Sequence, residues 1–383
     1  MNGCIYFDNA ATTWPKPECV YEALDTANRN YAANAGRGLY RISKQASDII
    51  EDARTMMARL LGCSSPRQFV FAPSATIALN EIIYGVRWNE HSVAYVSPYD
   101  HNAAIRPLRI ACERYGAQIV VMPCVPDGSI DLERLSTMFA QKAPNYVFVS
   151  HVSNVTGYIL PVQEIAALAH RYDAMVTVDA AQSAGIFPID LSVMGADFIV
   201  LAGHKGLYAS FGIGGFAGKD LSRLTPVIAG GTGSDSLNIN MPSEHPTRFE
   251  PASPNIVAIA GLLEALRWRN QMGADAITRH EQEMTNALVD GLIDNKRLRL
   301  YLPGDRSQHI GVVSFNHRGF FSDELGSILD HDYNIAVRAG YHCAPFVHDM
   351  IGSIAKRGTV RAAVSWFTTR EDIRALIAAL EEI

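Results

Sequence analysis

The strongest constraint on this chain is a rhythm. From about Ser43 to Ile199, short apolar runs alternate with stretches of helical periodicity. Ser43 reads as the cap of a helix running to Leu61, in which Ile49, Ile50, Ala53, Met56, Met57 and Leu60 recur at helical spacing. "FVFA" (69–72), "SVAYV" (92–96), "QIVVM" (118–122), "YVFVS" (146–150), "MVTV" (175–178) and "DFIVLA" (197–202) read as buried strands, with helical segments such as 103–115 and 161–172 between them. Apolar strands joined by helices imply a mainly parallel sheet covered on both faces. The expected fold class is therefore α/β. In such sheets ligands collect beyond the carboxyl ends of the strands, so the polar residues just after each strand are the ones to inspect.

Beyond Gly231 the texture changes. Residues 231–254 are rich in Gly, Ser, Asn and Pro and read as a loop. Helices follow at 255–272 and 274–295, strands near 298–302 and 310–316, a helix at 322–331, the strand "TVRAAVS" and a last helix from Arg370. This reads as a large domain over 20–255 and a smaller α+β domain over 256–383, joined by residues 1–19. A chain of 383 residues, 48% of them hydrophobic, is long enough for one large core and a second lobe.

The net charge is −6 and no polybasic tract occurs, which argues against nucleic acid and anionic membrane surfaces as partners. The first residues lack a basic region followed by an apolar core, and no apolar run reaches spanning length, so a cytoplasmic location is expected. The cysteines at 4, 19, 63, 112, 124 and 343 form no CxxC pair and no metal-ligand spacing.

Each strand end offers a candidate, and each has an ordinary reading beside the functional one. "PSATIALN" (73–80) opens a helix with small residues, which suits either a plain serine cap or a phosphate on free backbone N–H groups, with Thr76 adding a hydroxyl. His101, in "SPYDHNAAIRP", is by itself an ordinary loop histidine. Asn154, in "HVSNVTG", is either a turn residue or an amide facing a ligand. Asp179 closes an apolar strand, with Gln182 one turn on. It either caps a helix or partners a cation such as a protonated pyridine nitrogen. Lys205 follows a buried strand and precedes a glycine-rich stretch (203–218), where desolvation lowers an amine's pKa and favours imine formation.

In this order the motifs "YFDNAATT", "SATIALN", "HVSNVTG", "VDAAQSAG", "GHK" and "RAGYHCAPF" resemble the class V aminotransferase-like enzymes of pyridoxal-phosphate (PLP) fold type I, and within them the cysteine desulfurases. The resemblance spans Asp8 to Arg361. It implies a seven-stranded, mainly parallel sheet in the large domain and PLP as cofactor. It implies Lys205 as the Schiff-base lysine, His101 stacked on the PLP ring and relaying a proton, Asp179 on the pyridine nitrogen and Gln182 on the phenolic oxygen. Ala75, Thr76 and His204 would hold the phosphate, and Asn154 and Arg361 the substrate carboxylate. Cys343 would accept the sulfur of L-cysteine as a persulfide, with L-alanine as product, and His342 and Arg338 stand near enough in sequence to lower its pKa.

The resemblance further implies a homodimer with composite sites, to which the 231–254 loop with Ser253, and the stretch around Asn34 and Arg37, contribute in trans. Ala202 stands where many relatives have serine, Ser253 where threonine is common, and Tyr341 where short-loop desulfurases often have histidine. The short stretch from Cys343 to Arg361 resembles the short-loop group, so a sulfur-acceptor protein would have to approach the site. Sulfur metabolism and iron–sulfur cluster assembly are the implied setting. The alternatives are a selenocysteine lyase acting on L-selenocysteine, another class V aminotransferase or lyase, and a PLP-binding relic without turnover.

Overall fold

The computed structural model describes residues 3–35, 38, 40–233 and 236–383. Among these the strands are β1 (Ile5–Tyr6), β2 (Phe69–Ala72), β3 (Val93–Val96), β4 (Gln118–Val121), β5 (Tyr146–Ser150), β6 (Met175–Asp179), β7 (Phe198–Ala202), β8 (Gly214–Gly218), β9 (Leu298–Tyr301), β10 (Val312–His317), β11 (Ile335–Ala336), β12 (Arg338–Gly340) and β13 (Thr359–Ala363).

Seven of them form one sheet in the order β2–β8–β7–β6–β5–β3–β4, the strand number expected. Strands β4, β3, β5, β6 and β7 are parallel neighbours, and β8 runs antiparallel to both β7 and β2. Alternate residues feed opposite cores. Val147, Val149, Val176 and Val178 face one cluster with Met57, Leu135, Ile165 and Ile259 from four covering helices. Phe148, Phe198, Val200 and Phe216 face the other, with Ile82 and Leu108 from the helices Ala75–Gly85 and Asn102–Tyr115. A sheet covered on both faces can be apolar at every position, which is why these strands are legible as continuous runs.

Strand β8 lies inside the stretch read only as glycine-rich. Its glycines are steric: a Cβ on Gly215 would lie 2.3 Å from the Val70 carbonyl oxygen, and one on Gly218 would lie 2.6 Å from the Phe198 ring. The helix expected from Ser43 starts earlier, at Arg41, and runs to Leu60. Ser43 is not its cap; its hydroxyl accepts from Gly38 N (3.0 Å) and donates to Asn34 O (2.9 Å), tying down the segment before the helix.

A second core forms around the antiparallel sheet β12–β13–β10–β9. It holds Phe315 and Val360 from the sheet, Leu288, Leu325 and Leu376 from helices, and Phe7 from the N-terminal segment. That segment is held by β1 pairing in parallel with β11 and by a bridge between Asp8 and Ala363. Among the described residues no helix is long and apolar enough to cross a membrane.

Candidate active site

The carboxyl ends of β5, β6 and β7, the turn after β2 and the start of β12 converge on one cleft of about 260 Å³. Ala75, Thr76, His101, Asn154, Asp179, Gln182, His204, Lys205, Cys343 and Arg361 all line it. Tertiary folding therefore gathers ten residues that sequence spreads over 287 positions.

At one end the groups sit on regular elements. Ser74 caps the helix Ala75–Gly85 by accepting from Ile77 N (3.3 Å), and the amides of Ala75 and Thr76 in the first turn have no acceptor among the described residues. The serine-cap reading of this turn holds, and the cap leaves those two amides unengaged. His204 packs on Phe211 with ring centroids 4.7 Å apart, and its buried Nδ1 has no partner. Asp179 caps no helix: a turn follows β6. Its Oδ1 accepts from Ala181 N (2.9 Å), and burial, opposed by that bond and by Lys205, raises its pKa. Burial pushes the Lys205 amine down to about 8, against the pull of Asp179. Gln182 donates through Nε2 to Ala10 O (2.9 Å), so part of its amide is already committed.

His101 is the N-cap of the helix Asn102–Tyr115, and its Nδ1 accepts from Ala103 N (3.0 Å). Burial first, then the Lys205 and Arg361 charges, push its pKa down to about 4. A neutral imidazole that accepts at Nδ1 carries its proton on Nε2.

The other end is built across the two cores. Arg361 is 2% exposed and bonds Asp8 Oδ1 through Nη2 (2.8 Å) and Asn154 O through Nη1 (3.0 Å). Arg338 reaches the same carboxylate at Oδ2 (3.5 Å). Asp8, behind the cleft, had no role in the sequence reading, and Arg338, expected only to act on the Cys343 thiol, shares the Asp8 carboxylate with Arg361. Asp8 stood in a quoted motif, but nothing in its neighbourhood tells that a carboxylate there meets an arginine 353 residues on. Asn154 Nδ2 donates to His342 O (2.6 Å), and its buried Oδ1 has no partner.

Cys343 is exposed, with φ of 57°, and follows His342 at 47°. Two consecutive non-glycine residues in the left-handed region mark a strained turn. Its carbonyl accepts from Asn102 N (2.7 Å), docking the loop on the helix that His101 caps. The expectation that His342 lowers the thiol's pKa needs correction. Burial, then Arg361, hold this imidazole's pKa well below its usual value, and its Nε2 bonds Thr359 Oγ1 (2.8 Å), so it is no cation beside the thiol.

Asn34 and Ser253 are exposed and do not line this cleft; Ser253 lines a separate cavity of about 510 Å³. A single chain therefore does not bring them to the other residues. Arg37 lies outside the described residues.

Residues 5–376 match the family model described as aminotransferase class-V. A protein of Halalkalibacterium halodurans named as a probable cysteine desulfurase is 35% identical, over 99% of this chain and 92% of its own. A cysteine desulfurase of Escherichia coli is 32% identical, over 99% and 93%. The apo structure of cysteine desulfurase from Thermococcus onnurineus superposes with a TM-score of 0.92 at 31% identity, covering 100% of this chain and 94% of that one. With a buried lysine, an aspartate at the neighbouring strand end and an exposed cysteine on one cleft, and with this agreement along its whole length, the chain belongs to the class-V aminotransferase family and, within it, to the cysteine desulfurases.

Proposed function

We propose that the protein converts L-cysteine to L-alanine with PLP as cofactor, taking the sulfur onto Cys343 as a persulfide. The observation that carries this reading is that Lys205, Asp179, Arg361 and an exposed Cys343 line the same 260 Å³ cleft.

The residues fit the cofactor. A partnerless buried His204 Nδ1 and the free first-turn amides at Ala75 and Thr76 suit a phosphate. Asp179, buried with one backbone donor, suits a protonated ring nitrogen, which would restore its ordinary ionisation. His101 Nε2–H and Gln182 complete the lining from the resemblance. When bound through Lys205, PLP supplies an electron sink for the substrate's α-carbon.

Lys205, with a pKa near 8, exchanges protons at its Nζ close to neutral pH. Arg361 offers a planar fork to the substrate carboxylate and releases Asp8 to receive it. Cys343, as thiolate, attacks the substrate sulfur: an S–S bond forms, the C–S bond breaks and its electron pair stays on carbon, where a proton then completes alanine. The loop carrying Cys343 is short, so an acceptor protein would have to come to the cleft to collect the sulfur, with iron–sulfur cluster assembly as the proposed destination.

A homodimer would complete the site, with Ser253 and Asn34 of one copy serving the other. Leu237 and Ile239 on the 231–254 loop are 98% and 99% exposed in the single chain, and Phe211 beside His204 is also exposed, as an unfilled interface would be. Six free cysteines suit a reducing, cytoplasmic setting. The test is product analysis with L-cysteine and L-selenocysteine, with and without a thiol reductant. Alanine with reductant-released sulfide is expected. A keto acid without sulfide would replace this reading with an aminotransferase, and turnover of selenocysteine alone would replace it with a lyase.

A further inference from the structure

Arg54, Arg269 and Arg361 are buried, and they are not equivalent. Arg54 grips Glu250 through two bonds of 2.7 and 2.8 Å, and Arg361 grips Asp8. Arg269, 6% exposed, donates through Nε to Gly185 O (2.9 Å), and among the described residues no carboxylate lies within 4 Å of it. Its Nε is engaged, while its Nη atoms make no hydrogen bond among the described residues and face a cleft, where an anion from outside the chain can pair them. Burial lowers its pKa with no carboxylate to offset it.

Arg269 lines a cleft of about 620 Å³ that shares no residue with the catalytic one. His151 also lines it, with Nδ1 against Ser183 Oγ (2.9 Å). The helix Val162–His170 opens onto the same cleft from Pro161, with no side-chain cap. The amides of Gln163 and Glu164 in its first turn have no acceptor among the described residues. Free N–H groups at a helix start and a guanidinium with its Nη edge unclaimed each hold oxyanions in proteins. Exposed Arg59 stands at the rim.

We propose that this cleft binds a small carboxylate, held by Arg269 and the amides of Gln163 and Glu164. The charge balance favours a monoanion, and the planar fork of Arg269 favours a carboxylate. Asp190 and Glu164 also line the cleft, and Asp190 already accepts from Ser192 N and Val193 N (both 2.8 Å). Two carboxylates nearby disfavour a dianion such as sulfate and leave room for a monoanion. The site also touches the catalytic framework. Arg269 holds the Gly185 carbonyl, and Gly185 packs so closely that a Cβ there would lie 2.1 Å from the carbonyl oxygen of Gly206, the neighbour of Lys205.

The test is titration of PLP-loaded protein with propionate and, separately, sulfate, followed by calorimetry or ligand-observed NMR. Because Arg361 is a second carboxylate site, wild type and Arg361→Gln are compared. Saturable propionate binding with half-saturation on the order of 1 mM is expected to survive Arg361→Gln. It should weaken at least ~10-fold in Arg269→Gln, about the loss of one charge-assisted bond. Should Arg269→Gln not fold, Arg269→Lys, which keeps the charge but not the fork, and Arg59→Gln at the rim serve instead, each with a several-fold loss. Absence of saturation by 50 mM in Arg361→Gln, unchanged affinity in the Arg269 and Arg59 variants, or tighter binding of sulfate than of propionate would overturn the assignment.

Discussion

The two ends of the catalytic cleft are built on different principles. The end with Asp179, Lys205 and the Ser74–Thr76 turn sits on the covered, mainly parallel sheet, where Asp179 terminates β6, Ser74 caps a helix and Lys205 follows β7 by three residues. The end with Cys343, His342, Arg338 and Arg361 hangs between two cores. It is held by a few cross-core bonds: Asn102 N to Cys343 O, Asn154 Nδ2 to His342 O, and Arg361 to Asp8. It also contains two consecutive left-handed residues. Binding a rigid, planar cofactor rewards geometry fixed in advance, and β-strand ends supply it. Accepting and passing on a sulfur atom rewards an exposed residue on a loop that a partner can reach.

That contrast can be broken most severely at Lys205. Lys205→Ala should leave the fold intact, since the side chain makes no hydrogen bond among the described residues. It should abolish the visible absorbance of lysine-bound PLP and lower turnover ~10⁴-fold, the upper range for removing a positioned proton carrier. Normal turnover would move the imine to another lysine. Cys343→Ser tests the opposite end. Absorbance and cofactor content should stay as in wild type while cysteine desulfuration falls ~10³-fold, because a hydroxyl is too weak an acid to supply the nucleophile. Selenocysteine turnover should fall far less, since selenium leaves more readily. A wild-type rate with cysteine, and no persulfide on the parent enzyme, would return Cys343 to an ordinary surface thiol.

A third variant probes the seam between the ends. Arg361→Lys keeps the charge and loses the fork, so KM for cysteine should rise ~10-fold or more with a smaller change in kcat. A change confined to kcat would place Arg361 away from the carboxylate.

The smallest effect concerns support behind Lys205. Buried Glu281 lies 3.4 Å from the hydroxyl of Tyr208, whose amide bonds Lys205 O, and burial pushes the Glu281 carboxyl from 4.5 up to about 8. Between those values the folded state holds a proton that the unfolded chain has released, so stability falls as pH rises through this window. Glu281→Gln should flatten that slope in denaturant titrations from pH 5 to 8, leaving the unfolding free energy near pH 5 within about 1 kcal/mol of wild type. An unchanged slope would assign the pH dependence elsewhere.

Much of the sheet was legible because strands buried on both faces are apolar without interruption, a pattern that survives in one dimension. Strand β8 was not, because its requirement is the absence of side chains against Val70 and Phe198, and a glycine run reads as a loop until its neighbours are known. Strands β1, β11 and β12, two or three residues long, are too short to show a period. Ser43 looked like a cap because serine often is one, but its hydroxyl found partners in the preceding segment.

By itself the sequence determined the fold class, the strand ends that face the cleft and, through its motifs, the family. These rest on local periodicity and on residue order, which chain folding cannot alter. Only the tertiary structure decided that Asp8 and Arg338 join Arg361, that His342 turns a neutral ring to Thr359 rather than a charge to Cys343, and that Arg269 meets no carboxylate among the described residues. Those facts depend on distances between segments far apart in the chain and on how much water each charge retains. Neither quantity has a local signature in the order of residues.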